Sequence, residues 1–147
     1  MINFQSEDIN FKLKNKTILK KWISDVISKK THKTGEITFV FCSDEFLLNI
    51  NKHYLNHDTY TDIITFDYSK ENIKQAVSGD VFISVERVKE NAVTYSKSFE
   101  NELHRVIIHG TLHLLGYTDK TKIAKEQMAK QENSCLQILK KWHCKKI

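Results

Sequence analysis

The chain has 147 residues, a net charge of +5, 40% hydrophobic and 28% charged residues, 4 glycines and no proline. That length suits one domain, spanning 1–147, with enough core to fold without disulfides or a metal, and the composition excludes disordered, collagen-like and low-complexity classes. No apolar run reaches the roughly 18–20 residues that cross a bilayer, residues 1–8 lack the pattern of a secretion signal, and 3 cysteines without a CxxC pair point to a reducing cytoplasm.

In chain order, Ile2 and Phe4 open a short strand. Thr17 to Lys30 reads as an amphipathic helix, with Ile18, Leu19, Trp22, Ile23, Val26 and Ile27 on one stripe and lysines opposite. Gly35 reads as a break before the β-branched and aromatic strand Glu36–Cys42. Ser43 or Asp44 caps a helix to about Tyr54. Strands follow at Asp62–Tyr68 and, after Gly79, at Asp80–Ile83. Ser84 caps a helix whose apolar stripe is Val85, Val88, Ala92 and Tyr95. A helix from Ser98 to Leu115 and a last one from about Lys122 to Lys141 complete the chain. The expected fold is α/β (α+β): a single layered domain with a small mixed sheet of about four strands and about five helices. Charge is divided along the chain. Residues 1–43 are net +4, residues 44–102 net −5 and residues 103–147 net +6, which suits a polyanionic partner around a cation-binding centre.

The helix from Ser98 to Leu115 is apolar around most of its circumference and should be buried and central. One narrow stripe is polar and carries Glu102, Arg105, His109 and His113, with Gly116 just beyond. Histidines at i and i+4 aim both imidazoles at one ion. Gly116 suits a left-handed cap that ends the helix and lets Asp119 turn back to the same ion. The predicted metal site is therefore His109, His113 and Asp119, with one coordination position left for water, the pattern of catalytic zinc at one ion per chain. The glutamate base that follows the first histidine in H-E-x-x-H proteases is here Gly110, which disfavours that protease chemistry and lets another backbone or a substrate approach. Arg105 is a candidate catalytic phosphate binder, or else an ion-pair partner of Glu102 or another acid. His53 and His57 read as surface or substrate-contacting groups, and His104, across its helix from His109, as structural.

His109-Gly110-Thr111-Leu112-His113-Leu114-Leu115-Gly116-Tyr117 resembles the signature of the YbeY family of bacterial metal-dependent endoribonucleases. Leu48 with Asn51 to Phe66, and Gly79 to Ile83, resemble two further segments of that family, so the likeness spans about residues 46–140. It implies a single-strand-directed cleavage of ribosomal RNA during maturation, notably at the 3′ end of the small-subunit RNA, and ribosome quality control. It also implies ribosomal RNA and the ribosome as partners, beside ribosomal-protein or GTPase partners, and no membrane. Two positions depart from the family pattern. Asp119 stands in the register of a third histidine, and Leu55 where an arginine usually follows the tyrosine. Lys52, His53 or His57 could stand in that arginine's place, with Lys52 and His57 the candidates to meet substrate. The rival readings are a zinc metallopeptidase or amide hydrolase, and a non-catalytic ribosome assembly factor with a structural metal.

Overall fold

The computed structural model describes residues 1–145 apart from Thr31, Asp58 and residues 70–75, with side chains described as far as Trp142. The elements are β1 (Ile2–Ser6), α1 (Lys16–Lys29), β2 (Lys33–Cys42), α2 (Asp44–Leu55), β3 (Ile63–Asp67), β4 (Ala76–Ser84), α3 (Val85–Thr94), α4 (Phe99–Leu114) and α5 (Lys122–Lys145). The strands form one mixed sheet in the order β1-β2-β4-β3. β1 and β4 flank β2 in parallel, and β3 closes the edge antiparallel to β4.

Alternation along the strands divides the core. Ile37, Phe39 and Phe41 of β2, with Val81 and Ile83 of β4, face the helical layer, where Leu19, Trp22, Ile23 and Ile27 of α1 and Val106, Ile107 and Ile108 of α4 meet them. Cys42, Ile64, Phe66 and Phe82 form a smaller cluster with Phe46, Leu47 and Ile50 of α2. All six apolar residues of the expected α1 stripe are buried. Burial also pushes the Cys42 thiol up to about 12, so it behaves as an inert apolar group.

Four expectations are corrected. Gly35 does not end anything: it lies inside β2 at a register shift between Thr34 and Ile37, where a Cβ would collide with Ser78 Oγ and sit 2.9 Å from Val77 O. β4 starts at Ala76, so Gly79 is within it. β3 is one residue shorter at each end than expected, running Ile63–Asp67. Tyr95 is not on the buried stripe of α3. The helix stops at Thr94, Ser96 turns the chain at φ 55°, and Tyr95 is left 62% exposed.

α5 is held against α1 by two bonds. The Trp22 indole N–H donates to Cys135 O at 2.8 Å, and Lys30 Nζ donates to Gln131 Oε1 at 2.8 Å. These fix the register of α5 beside α4. No helix among the described residues is long and apolar enough to cross a membrane.

Candidate metal centre

α4 begins at Ser98, whose hydroxyl accepts from the Asn101 N–H at 3.0 Å, and runs through the middle of the molecule with Leu103, Val106, Ile107, Ile108, Thr111, Leu112 and Leu114 buried. His109 and His113 lie one turn apart on its polar stripe, their side chains 20% and 24% exposed. Gly110 is buried between them. A Cβ there would be 2.7 Å from Val81 Cγ1 and 2.9 Å from Ile63 Cδ1. The close neighbours that require glycine are therefore side chains of β4 and β3, not a backbone or a substrate. Gly110 lets α4 press onto the sheet and sets the height of the histidines above it.

The end of α4 is a Schellman turn. Gly116 has φ +102°, the Gly116 N–H donates to His113 O at 3.0 Å, and the Tyr117 N–H donates to Leu112 O at 3.0 Å. Glycine is required by that dihedral, since a Cβ would meet nothing within 4 Å. The turn has two consequences. It places Tyr117 O 3.1 Å from His113 Nδ1, and it carries Asp119 back over the histidine face. Asp119 is not spent as a helix cap, because the first turn of α5 is closed by Thr121, whose hydroxyl accepts from the Ala124 N–H at 3.0 Å.

The partners of the imidazoles define their protons. A carbonyl only accepts, so His113 Nδ1 carries hydrogen. The carboxylate of Glu132 lies 2.6 Å from His109 Nδ1, so that nitrogen donates as well. Both Nε2 atoms then present lone pairs to each other, 2.9 Å apart. Asp119 Oδ2 closes the triangle at 3.4 Å from His109 Nε2 and 3.6 Å from His113 Nε2. Three electron-rich atoms this close need a positive occupant, either a proton or a metal ion. Tetrahedral zinc with bonds near 2.0–2.1 Å separates its ligand atoms by about 3.3 Å, close to the edges of this triangle. The donor set of two imidazoles and one carboxylate fits the ion. Among the described residues, these three form the one group with metal-ligating geometry.

Electrostatics agree with that demand. Burial drives the His109 imidazolium down, but the hydrogen bond and charge of Glu132, with Asp119 and Asp62 behind it, outweigh burial and leave His109 above its ordinary value. Burial and the neighbouring His109 lower His113. The Asp62 carboxyl, just before β3, is raised by burial against the opposing pull of His109.

Glu132 was missed in the sequence. Its side chain is 9% exposed, and it bridges His109 to Arg105, whose Nη1 donates to Glu132 Oε1 at 2.9 Å while Nη2 donates to Asn133 Oδ1 at 2.8 Å. Of the two roles open to Arg105, the structure shows an ion pair, and its partner is Glu132 rather than Glu102. The signal lay in the pattern of α5. Glu132 falls in the buried stripe Met128, Glu132, Cys135 and Leu139, where an unpaired carboxylate is costly.

Lys52, in the last turn of α2, and His57, just past its cap, are both exposed, as is His53. Leu55, the residue at the arginine position, ends α2 and is 42% exposed. His104 lies edge-on to Trp22, ring centroids 6.3 Å apart, away from the metal centre.

Comparison with known proteins gives one consistent answer. The profile of the endoribonuclease YbeY family matches residues 1–140. A relative from Cytophaga hutchinsonii, named Endoribonuclease YbeY, is 43% identical over 139 residues, covering 95% of this chain and 96% of its own. One of the same name from Flavobacterium johnsoniae is 49% identical over 133 residues, covering 90% and 93%. The solution structure of TM1509 from Thermotoga maritima superposes with a TM-score of 0.63 at 25% identity, covering 99% of this chain and 93% of that one. A matched profile over nearly the whole chain, relatives of equal length and a shared fold lead to one conclusion: this chain belongs to the endoribonuclease YbeY family.

Proposed function

We propose that the chain is a metal-dependent endoribonuclease of ribosomal RNA maturation, working in the cytoplasm on RNA of the ribosome, with zinc held by His109, His113 and Asp119. The observation that carries the metal is the pair of Nε2 lone pairs facing each other at 2.9 Å under a carboxylate. When bound, such an ion supplies water activation at neutral pH and stabilises charge on a phosphate oxygen. The chain's own part is to keep both imidazoles turned Nε2-inward, through Glu132 and Tyr117 O. The position after the first histidine, where a peptidase of the H-E-x-x-H kind carries its proton-moving glutamate, is Gly110, buried against side chains of the sheet. The test is cleavage of a structured ribosomal RNA fragment and of casein, with and without chelator. RNA cut only with metal present supports the reading, and casein cut with RNA intact would replace it.

The substrate reading also rests on the surface beside the centre. An open groove of about 700 Å³ runs along the first half of α4 and the second half of α5, lined by Lys97, Asn101, Asn133, Gln137 and Lys140, with Glu100 as its one acidic group among the described residues. Lys97 and Lys140 with the amides between them suit a phosphodiester backbone, and the exposed Lys52 of α2, with His57 just past its end, are further candidates to meet the same substrate. Reversing two charges, Lys97→Glu with Lys140→Glu, should weaken RNA binding and flatten the logarithmic salt dependence by roughly one to two phosphate contacts. An unchanged salt slope would take the RNA off this groove.

Metal affinity should also depend on pH. A metal takes the neutral imidazole. Because the folded protein raises the His109 value, a proton competes for that ring further up the pH scale than the ordinary histidine value of about 6.5. Affinity should therefore fall as pH drops through that raised value and be fully developed only above it. Chelator competition at about pH 6 and about pH 8 reads this directly; equal affinities would contradict it.

A further inference from the structure

Resting on the metal reading above, we infer that Glu132 is a positioning residue for the metal centre and that Arg105 serves the centre through Glu132 rather than by holding phosphate. The geometry is a relay of charge-assisted bonds. Asn133 Oδ1 accepts from Arg105 Nη2 at 2.8 Å, Glu132 Oε1 accepts from Arg105 Nη1 at 2.9 Å, and Glu132 Oε2 accepts from His109 Nδ1 at 2.6 Å. A carboxylate that accepts from the outer nitrogen of a ligating imidazole fixes the tautomer, locks the ring plane and raises the basicity of the inner nitrogen. Nothing comparable acts on His113, whose outer nitrogen meets a neutral carbonyl at 3.1 Å. The two ligands are therefore unequal, with His109 the more strongly donating.

The relay is built into the fold. Glu132 is buried and occupies a core position of α5, between Met128 and Cys135, which are 2% and 4% exposed. Its placement depends on the register of α5, which Trp22 of α1 and Lys30 just past its end fix at Cys135 O and Gln131, on either side of it. Arg105 supplies the countercharge that a buried carboxylate requires. With both terminal nitrogens of its guanidinium already donating, Arg105 has its principal phosphate-binding fork engaged within the protein.

The experiment measures metal affinity of the full chain by competition with a chromophoric chelator, using Zn²⁺ and Co²⁺, for wild type, Glu132→Gln, Glu132→Asp, Arg105→Gln and the Arg105→Gln/Glu132→Gln double variant. The cobalt absorption spectrum and melting of the metal-free proteins are recorded beside it. Glu132→Gln should lose about 10–100-fold in zinc affinity and shift the cobalt spectrum. Glu132→Asp, which keeps the charge, should recover part of both, and it carries the test if the glutamine variant does not fold. Arg105→Gln should weaken affinity by itself and add nothing in the Glu132→Gln background. Zinc affinity unchanged in Glu132→Gln overturns the inference, as does an Arg105→Gln effect confined to KM for RNA. Failure of the wild-type chain to bind zinc or cobalt would instead overturn the metal reading beneath it.

Discussion

Replacing His109 and His113 together by alanine should abolish stoichiometric metal binding and lower RNA cleavage by at least about 10³-fold, the equivalent of the several kcal/mol that a metal supplies at a phosphoryl transition state. Both side chains are partly exposed and neither belongs to the apolar core, so the metal-free melting temperature should move little. Asp119→Ala should act less severely. It removes one of three ligands from a loop that the Gly116 turn still directs over the site, so metal affinity falls while the histidine pair remains. Asp119→His should keep the metal, since imidazole is as good a zinc ligand as carboxylate. Metal content per chain, measured after gel filtration, separates these cases. A double-alanine variant that retains one equivalent of metal would remove these histidines from the centre.

The largest stability effect should come from Trp22→Ala, a loss of about 3–5 kcal/mol. Trp22 is fully buried in α1 and its indole N–H is bonded to Cys135 O. Truncation leaves a cavity between α1, α4 and α5 and orphans a buried carbonyl. The site should feel this at a distance, because the same bond holds the register of α5 that presents Glu132. Thermal unfolding should show a fall of roughly 10 °C, together with weaker metal binding in the folded variant. Trp22→Phe, which fills most of the space but lacks the donor, should fall between. A melting temperature within a degree or two of wild type for Trp22→Ala would mean that α5 is not anchored there.

What could be read from the sequence, and what could not, follows the range of the interactions. Local patterns were legible: the α1 stripe, a cap at Ser43 or Asp44 and one at Ser84, the start of α4 near Ser98, and the polar seam on α4 depend on residues within a few positions of one another. The reversal at Gly116 was legible for the same reason, since a glycine after the last helical turn speaks for a left-handed residue. Gly35 and Gly79 lie inside strands rather than at boundaries, for reasons distant in sequence: the neighbouring strand at Ser78 and Val77 for one, and Phe66 of β3 with Leu114 of α4 for the other. Glu132 was invisible by proximity, being 23 residues from His109, although a carboxylate among the buried residues of α5 was a readable anomaly. The role of Arg105 turned on that same long-range partner.

The account is tested most directly by one cleavage measurement on the full chain with a structured fragment of small-subunit ribosomal RNA. The protein is assayed as purified, after exhaustive chelation, and after zinc is restored to one equivalent. Cleavage that disappears on chelation and returns at one equivalent is the result predicted by a catalytic centre at His109, His113 and Asp119. Undiminished cleavage by protein shown to be metal-free would contradict it.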